Sequence, residues 1–259
     1  MIKEIYTAAL GMQSQITRLE TTANNIANAQ TTGYKRMSIF ERDLILAQDN
    51  LNNIEGDVEQ DDPATGSYFD FSQGVMQITD NPLDLAIEGK GFFTLMDEDG
   101  KEYLTRGGSF RISEDGTILS MDGKKLKGSE GPISINREFF SRHSITADNT
   151  ARSIRIGIAG EVFVNDSEVA RISVVEPKDL NTLQRASASL FTLSEEAEKE
   201  ELEMNKVTIR QGWLEGSNVN IVKEMVQMIE LQRMYDAGSK VIQTNDNTIE
   251  KSIMTGRFV

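Results

Sequence analysis

Apolar residues near the start of the chain fall at Ile2, Ile5, Ala9, Met12, Ile16, Leu19, Ala23 and Ile26, in unbroken steps of 3 and 4. That heptad register predicts one amphipathic helix. No proline interrupts it, and Gly33 supplies a stop, because glycine readily takes the left-handed conformation past a helix end. At 1.5 Å per residue the helix is about 40 Å long. The other end repeats the pattern. Met228, Tyr235, Ile242 and Ile249 recur every seven residues, and Ile221, Val222 and Ile229 widen the stripe at its start. The companion position reads Met225, Gln232, Ser239, Asp246, Ile253: apolar at the ends and polar between. Asn218 or Asn220 is placed to cap a helix over about 220–254, roughly 50 Å long.

Between these ends the pattern changes to that of strands. Asp99-Gly100, Asp115-Gly116 and Asp122-Gly123 each lie beside an apolar run, such as Phe92-Phe93-Thr94-Leu95-Met96, Phe110-Arg111-Ile112 or Ile118-Leu119. Asp-Gly in that setting is a hairpin signal, since tight turns need positive φ. Ile154, Ile156 and Ile158 alternate, followed by Val162-Phe163-Val164, a turn at Asn165-Asp166, and Ile172 and Val174. Residues 207–213 read as a last strand. Residues 46–70, rich in Asn, Asp, Gly and Gln, read as an extended linker, and Glu195–Glu203 as a solvated helix turn or loop.

A 3.5-residue repeat suits helix-on-helix packing better than helix-on-sheet packing. The terminal stripes can bury against each other or against copies of themselves. Polar Gln232, Ser239 and Asp246 weaken an isolated pair, which favours association with further partners.

Composition narrows the chemistry. The chain has 259 residues, no cysteine, one histidine and a formal charge of −14. Thiolate metal sites, disulfides and multi-histidine sites are therefore excluded. The acidic balance argues against nucleic-acid binding, which needs surplus Lys and Arg. No apolar run approaches the roughly 20 residues of a membrane helix, so no membrane insertion is expected. Met1-Ile2-Lys3-Glu4-Ile5-Tyr6 lacks signal-peptide character, which fits a cytoplasmic chain or one exported without a cleaved signal. No phosphate-binding glycine motif or nucleophile elbow occurs. His143 lies near Ser141 and Ser144, but that proximity carries no catalytic information. Asp97-Glu98-Asp99-Gly100 has its glycine too early for a calcium loop and reads as a hairpin turn. No enzyme activity, cofactor or metal is expected.

The ends also carry recognisable motifs. Ala23-Asn24-Asn25-Ile26-Ala27-Asn28 with Thr32-Gly33-Tyr34-Lys35-Arg36 resembles the N-terminal signature of the bacterial flagellar rod and hook protein family. Leu214-Glu215-Gly216-Ser217-Asn218-Val219-Asn220, with Gln232-Arg233-Met234-Tyr235, is similar to its C-terminal signature. Asn81-Pro82-Leu83-Asp84 through Gly91-Phe92-Phe93, and Leu104-Thr105-Arg106-Gly107-Gly108, are similar to its core motifs. Residues 129–205 carry no such motif.

The resemblance implies an α+β structural subunit of the flagellar rod. Its long terminal helices would pair as a coiled coil lining a tube, with a β-rich middle domain facing outward. The implied division is 1–35 with 218–259 as the coiled-coil domain, 36–75 with 206–217 as a linker region, and 76–205 as the outer domain. The helix-stripe residues named above would form the assembly interface, and Asn24, Asn25, Asn28, Gly33, Tyr34, Gly216, Ser217 and Asn218 the family motif. Implied partners are further copies, neighbouring rod proteins, the flagellar export apparatus and surrounding ring proteins. The short interval from Arg36 to Ser72-Gln73-Gly74 resembles proximal more than distal rod subunits. A β-domain binding module on a coiled-coil stalk is the alternative of another class. A hydrolase using acids from 43–89 is a third reading, opposed by that segment's linker character.

The −14 is unevenly spread. Residues 43–89 hold 11 acids and no base, and 195–203 hold six Glu and one Lys, so the rest of the chain sums to +2. Nearly neutral ends oppose bundling less than acidic ones would.

Overall fold

The computed structural model describes residues 2–41, 65–135, 154–164, 167–193, 199–201 and 208–256. His143 and the acidic run over 43–64 lie outside these residues. The chain divides into two compact units. One comprises Met1–Ala29, Arg36–Asp70 and Val219–Val259, the other Gln30–Lys35 and Phe71–Asn218.

The first unit holds the two helices, α1 (Ile2–Ala27) and α2 (Ile221–Gly256), which lie against each other. α1 ends where the Asn28 N–H donates to the Asn24 carbonyl at 3.1 Å. Asn220 opens α2. Its side-chain oxygen accepts from the Lys223 N–H at 3.1 Å, and its carbonyl accepts from the Glu224 N–H at 3.0 Å. The side chain thereby satisfies one of the donors every helix start leaves free. A strand pair, β1 (Met37–Glu41) with β2 (Thr65–Phe69), runs antiparallel, and β1 touches α1. Residues 65–69 thus form a strand, although their composition reads as linker. Backbone pairing to Met37–Glu41 overrides their low intrinsic preference.

The second unit is the β-rich middle. Its main sheet runs β15 (Leu183–Arg185), β16 (Leu190–Leu193), β6 (Glu102–Thr105), β5 (Phe92–Met96), β9 (Lys125–Gly128), β8 (Ile118–Ser120) and β7 (Phe110–Ile112). β10 (Gly131–Pro132) adds to β9, and β14 (Val174–Pro177) pairs with both β5 and β17 (Lys199–Glu201). The three Asp-Gly pairs all make turns: Gly100, Gly116 and Gly123 have φ of 79°, 80° and 80°. Lys199–Glu201 corrects the loop reading of the Glu-rich stretch. Among the described residues β17 pairs with β14 alone, and charged residues are well tolerated at such an edge.

Three short pairings complete the unit. β11 (Ile154–Ile156), β12 (Glu161–Val164) and β13 (Ser167–Arg171) form an antiparallel sheet. β18 (Thr208–Gln211) pairs with β4 (Leu85–Glu88), and β19 (Trp213–Glu215) with β3 (Met76–Ile78). The single strand read over 207–213 is therefore two strands. Gly212, at φ 75°, breaks it, and its carbonyl accepts from the Thr79 N–H at 2.8 Å.

One apolar core unites the main sheet with the smaller ones. Phe93, Leu95, Ile118 and Leu126 meet Ile154, Val162, Val164 and Ile209 there, and each burial contributes about 1.5–3 kcal/mol. Central β5 is buried on both faces. Phe93 packs edge-on against Phe110, while Phe92 on the opposite face meets Phe71 and Phe191.

Candidate functional site

Segments far apart in the sequence meet at one carboxylate in the second unit. Glu215 ends β19 and is fully buried. Its Oε1 accepts from Lys35 Nζ at 2.6 Å and from the Gly74 N–H at 2.9 Å; its Oε2 accepts from Arg106 at 3.2 Å. Lys35 also donates to the Ser72 carbonyl at 2.7 Å, and Arg106 to the carbonyls of Ile87 (3.3 Å) and Gly89 (2.6 Å). The Arg106 guanidinium lies 5.3 Å from the centre of the Phe92 ring. Burial lowers the Arg106 pKa from its ordinary value, and the adjacent Glu215 opposes that shift. The guanidinium stays charged at any ordinary pH, so two buried cations share one carboxylate and the remaining demand falls on backbone carbonyls.

Glycines make this convergence sterically possible. Gly33 has φ 69°, and a Cβ there would strike the backbone of Arg106 and Gly107. Its N–H donates to the Glu215 carbonyl at 2.8 Å. A Cβ at Gly74 would overlap the Gly216 carbonyl, and one at Gly108 the Leu85 carbonyl. Tyr34 is fully buried beneath Arg185, which donates to its hydroxyl at 2.9 Å and also to the Lys35 carbonyl. Asn218 donates to the Ser72 carbonyl and hydroxyl at 3.2 and 3.1 Å. The Gly216 N–H donates to the Val75 carbonyl at 2.9 Å, and Ser217 follows it, half-buried.

A second carboxylate organises the first unit. Glu224, 1% exposed, accepts from Arg36 at 2.6 Å and from Asn25 at 3.2 Å. The Asn25 side chain also donates to the Met37 carbonyl at 2.8 Å and accepts from its N–H at 3.0 Å, as a paired strand would. Asn28 donates from its side chain to the Asn24 carbonyl at 2.9 Å, and Asn24 is exposed.

The helix stripes divide between two environments. On α2, Met228, Tyr235 and Ile242 are half-buried, and the most enclosed companions are Glu224, Leu231 and Gly238. A Cβ on Gly238 would lie 3.2 Å from the Met12 side chain. The companion row is therefore shifted by one residue from Met225, Gln232, Ser239 and Asp246. Ile221, Val222, Met225 and Ile229 are exposed, with Val226, Met234 and Val241 beside them. On α1, Met12, Leu19 and Ile26 are half-buried, whereas Ile16 and Ala23 are exposed. The side chains of Ile2, Ile5, Ala9 and Ile249 lie outside the described residues. Among the described residues no group of three or more metal-ligating side chains converges, and no helix is long and apolar enough to cross a membrane.

Family models match three stretches: the flagella basal body rod protein over residues 5–35, the flagellar hook protein FlgE/F/G D1 domain over 86–164, and the flagellar basal body rod FlgEFG protein C-terminal over 210–254. A flagellar basal-body rod protein FlgG of Borreliella burgdorferi is 32% identical, covering 96% of this chain and 97% of that protein. The chain belongs to the flagellar basal-body rod protein family. A FlgG of Agrobacterium fabrum is 30% identical over 92% of this chain and 94% of its own. A rod protein FlgF of Caulobacter vibrioides is 31% identical over 94% and 93%. This rod-family chain is thus a structural subunit of the basal-body rod and not an enzyme.

Each matched stretch supplies one ion of the Glu215 cluster: Lys35, Arg106 and Glu215 itself. Lys35, Arg36, Arg106 and Glu215 lie within the sequence motifs, but nothing in the sequence marked them, or Glu224, as buried ions. A buried charge has the same letter as a surface charge, and the motifs around these residues, with the glycines Gly33, Gly74, Gly107 and Gly108, were the signal available.

Proposed function

We propose that copies of this chain polymerise through their terminal helices into the tubular rod that transmits torque from motor to hook, at its proximal end. The observation that carries this reading is the row of large apolar side chains on α2 left in solvent while α1 and α2 already touch: Val222, Met225, Val226 and Ile229 are 72%, 49%, 52% and 50% exposed. An exposed apolar row of this kind marks an interaction surface. The half-buried seam of Met228, Tyr235 and Ile242 supports a coiled-coil pairing within the subunit.

In this reading the regions 1–35 and 218–259 form the inner wall. Residues 36–75 with 206–217 link it to an outward-facing 76–205, and the helix-stripe residues form the assembly interface. The chain would reach its place through the flagellar export apparatus and span the periplasm inside surrounding ring proteins. The short interval between Arg36 and Ser72 supports the proximal position.

Imaging basal bodies from a deletion strain tests this. The expected result is a rod missing from its motor end outward. A rod that stops short of the hook assigns the chain to the distal part, and an intact rod overturns the function.

A further inference from the structure

We propose that the groove flanking α2 receives the outward face of α1 from a second copy of this chain, in a one-way contact. This rests on the assembly reading and deepens it by naming which surfaces meet. The groove encloses about 670 Å³. Val222, Val226, Leu231 and Met234 give it an apolar lining, and Arg18 and Lys223, against the single acid Glu230, leave it with one net positive charge. Lys223 has no ion-pair partner among the described residues.

The complementary surface lies on the other side of α1. Gln13, Ile16, Glu20, Ala23 and Ala27 step by 3, 4, 3 and 4 residues, and all are exposed. Arg18 is two residues from Ile16, hence about 200° round the helix, so stripe and groove face different ways. Ile16 offers a large apolar side chain that is 42% exposed. Ala23 and Ala27 allow close helix approach. Glu20, one turn from Ile16 and without an ion-pair partner among the described residues, is the charge that Lys223 lacks.

A stripe that meets a groove, and not another stripe, leaves one of each free on every added copy. Such heterologous contacts extend without closing unless the rotation returns on itself. The nearly neutral stripe keeps like-charge repulsion low as copies accumulate.

The chain has no cysteine, so introduced ones report cleanly. Basal bodies would be isolated from cells carrying Ile16→Cys, Val226→Cys or both, then oxidised. The expected result is a ladder of linked copies from the double variant and none from either single variant. Lys223→Glu is expected to lower incorporation about fivefold, and adding Glu20→Lys to restore it to within about twofold of the parent. Linking within either single variant overturns the contact, as does a missing ladder from an incorporated double variant. If the cysteine pair does not incorporate, the charge exchange decides, and failure of Glu20→Lys to rescue overturns the contact. Absence of the unaltered chain from basal bodies overturns the assembly reading itself.

Discussion

Lys35 Nζ lies 2.6 Å from Glu215 Oε1, with both side chains fully buried and 180 residues of chain between them. The contact joins the segment entering the β-rich unit to the segment leaving it. A buried ion pair adds little net stability over an apolar substitute, because desolvation offsets attraction. Removing one member is another matter, since the other charges keep their desolvation cost without compensation. Glu215→Ala leaves Lys35 and Arg106 facing each other. It is expected to destabilise the β-rich unit by about 3–5 kcal/mol, measured as a lowered urea midpoint.

The glycines of the β-rich unit are expected to rank by what a methyl group meets. Gly108→Ala drives a Cβ into the Leu85 carbonyl and should cost about 3 kcal/mol. Gly123→Ala opens onto empty space, so its cost is confined to a φ of 80°, about 1 kcal/mol. Equal losses in thermal unfolding would contradict the close backbone approach at Gly108.

Asp97 sits in the turn between β5 and β6 and accepts from Lys124 Nζ at 2.5 Å. That bond, with a lesser one from the Glu98 N–H, holds the Asp97 carboxyl below its ordinary pKa. A depressed folded-state value means the pair's stabilisation is present above the unfolded carboxylate value of about 3.9 and disappears as pH falls through the folded value. Lys124→Met is expected to return Asp97 upward, which carbon-detected NMR titration of its carboxyl would register. An unchanged titration would show that Lys124 does not set it.

The two sides of α2 are expected to separate stability from assembly. Leu231 is 2% exposed, and Leu231→Ala should destabilise the helical unit by about 2–4 kcal/mol. Ile229 is half in solvent, and Ile229→Ala should leave stability within about 0.5 kcal/mol while reducing incorporation into basal bodies. Sedimentation and helix melting followed by circular dichroism read the two effects apart.

Much of this architecture was legible from residue spacing. Heptads marked both helices, and Asp-Gly pairs marked three turns, because each pattern expresses a local geometric need. The seam of α2 was only half legible. Its inner companion row includes Glu224 and Gly238, a charge and a residue with no side chain, so hydrophobic periodicity pointed to the adjacent row beginning at Met225. Lys199–Glu201 was missed because edge pairing rests on backbone bonds that composition does not encode. Glu215 was missed because its partners Lys35 and Arg106 are set by tertiary position, which spacing in sequence does not reveal.

Asn25 and Glu224 carry a consequence for timing. They meet across 199 residues, where α1 lies against α2. Contacts of such separation form late, since most of the chain must be present before they can close. As the chain is made, α1 therefore waits without its mate until the intervening residues and α2 have followed. A copy cut short before Ile221 is left with an unmatched α1 and no means of pairing it within itself.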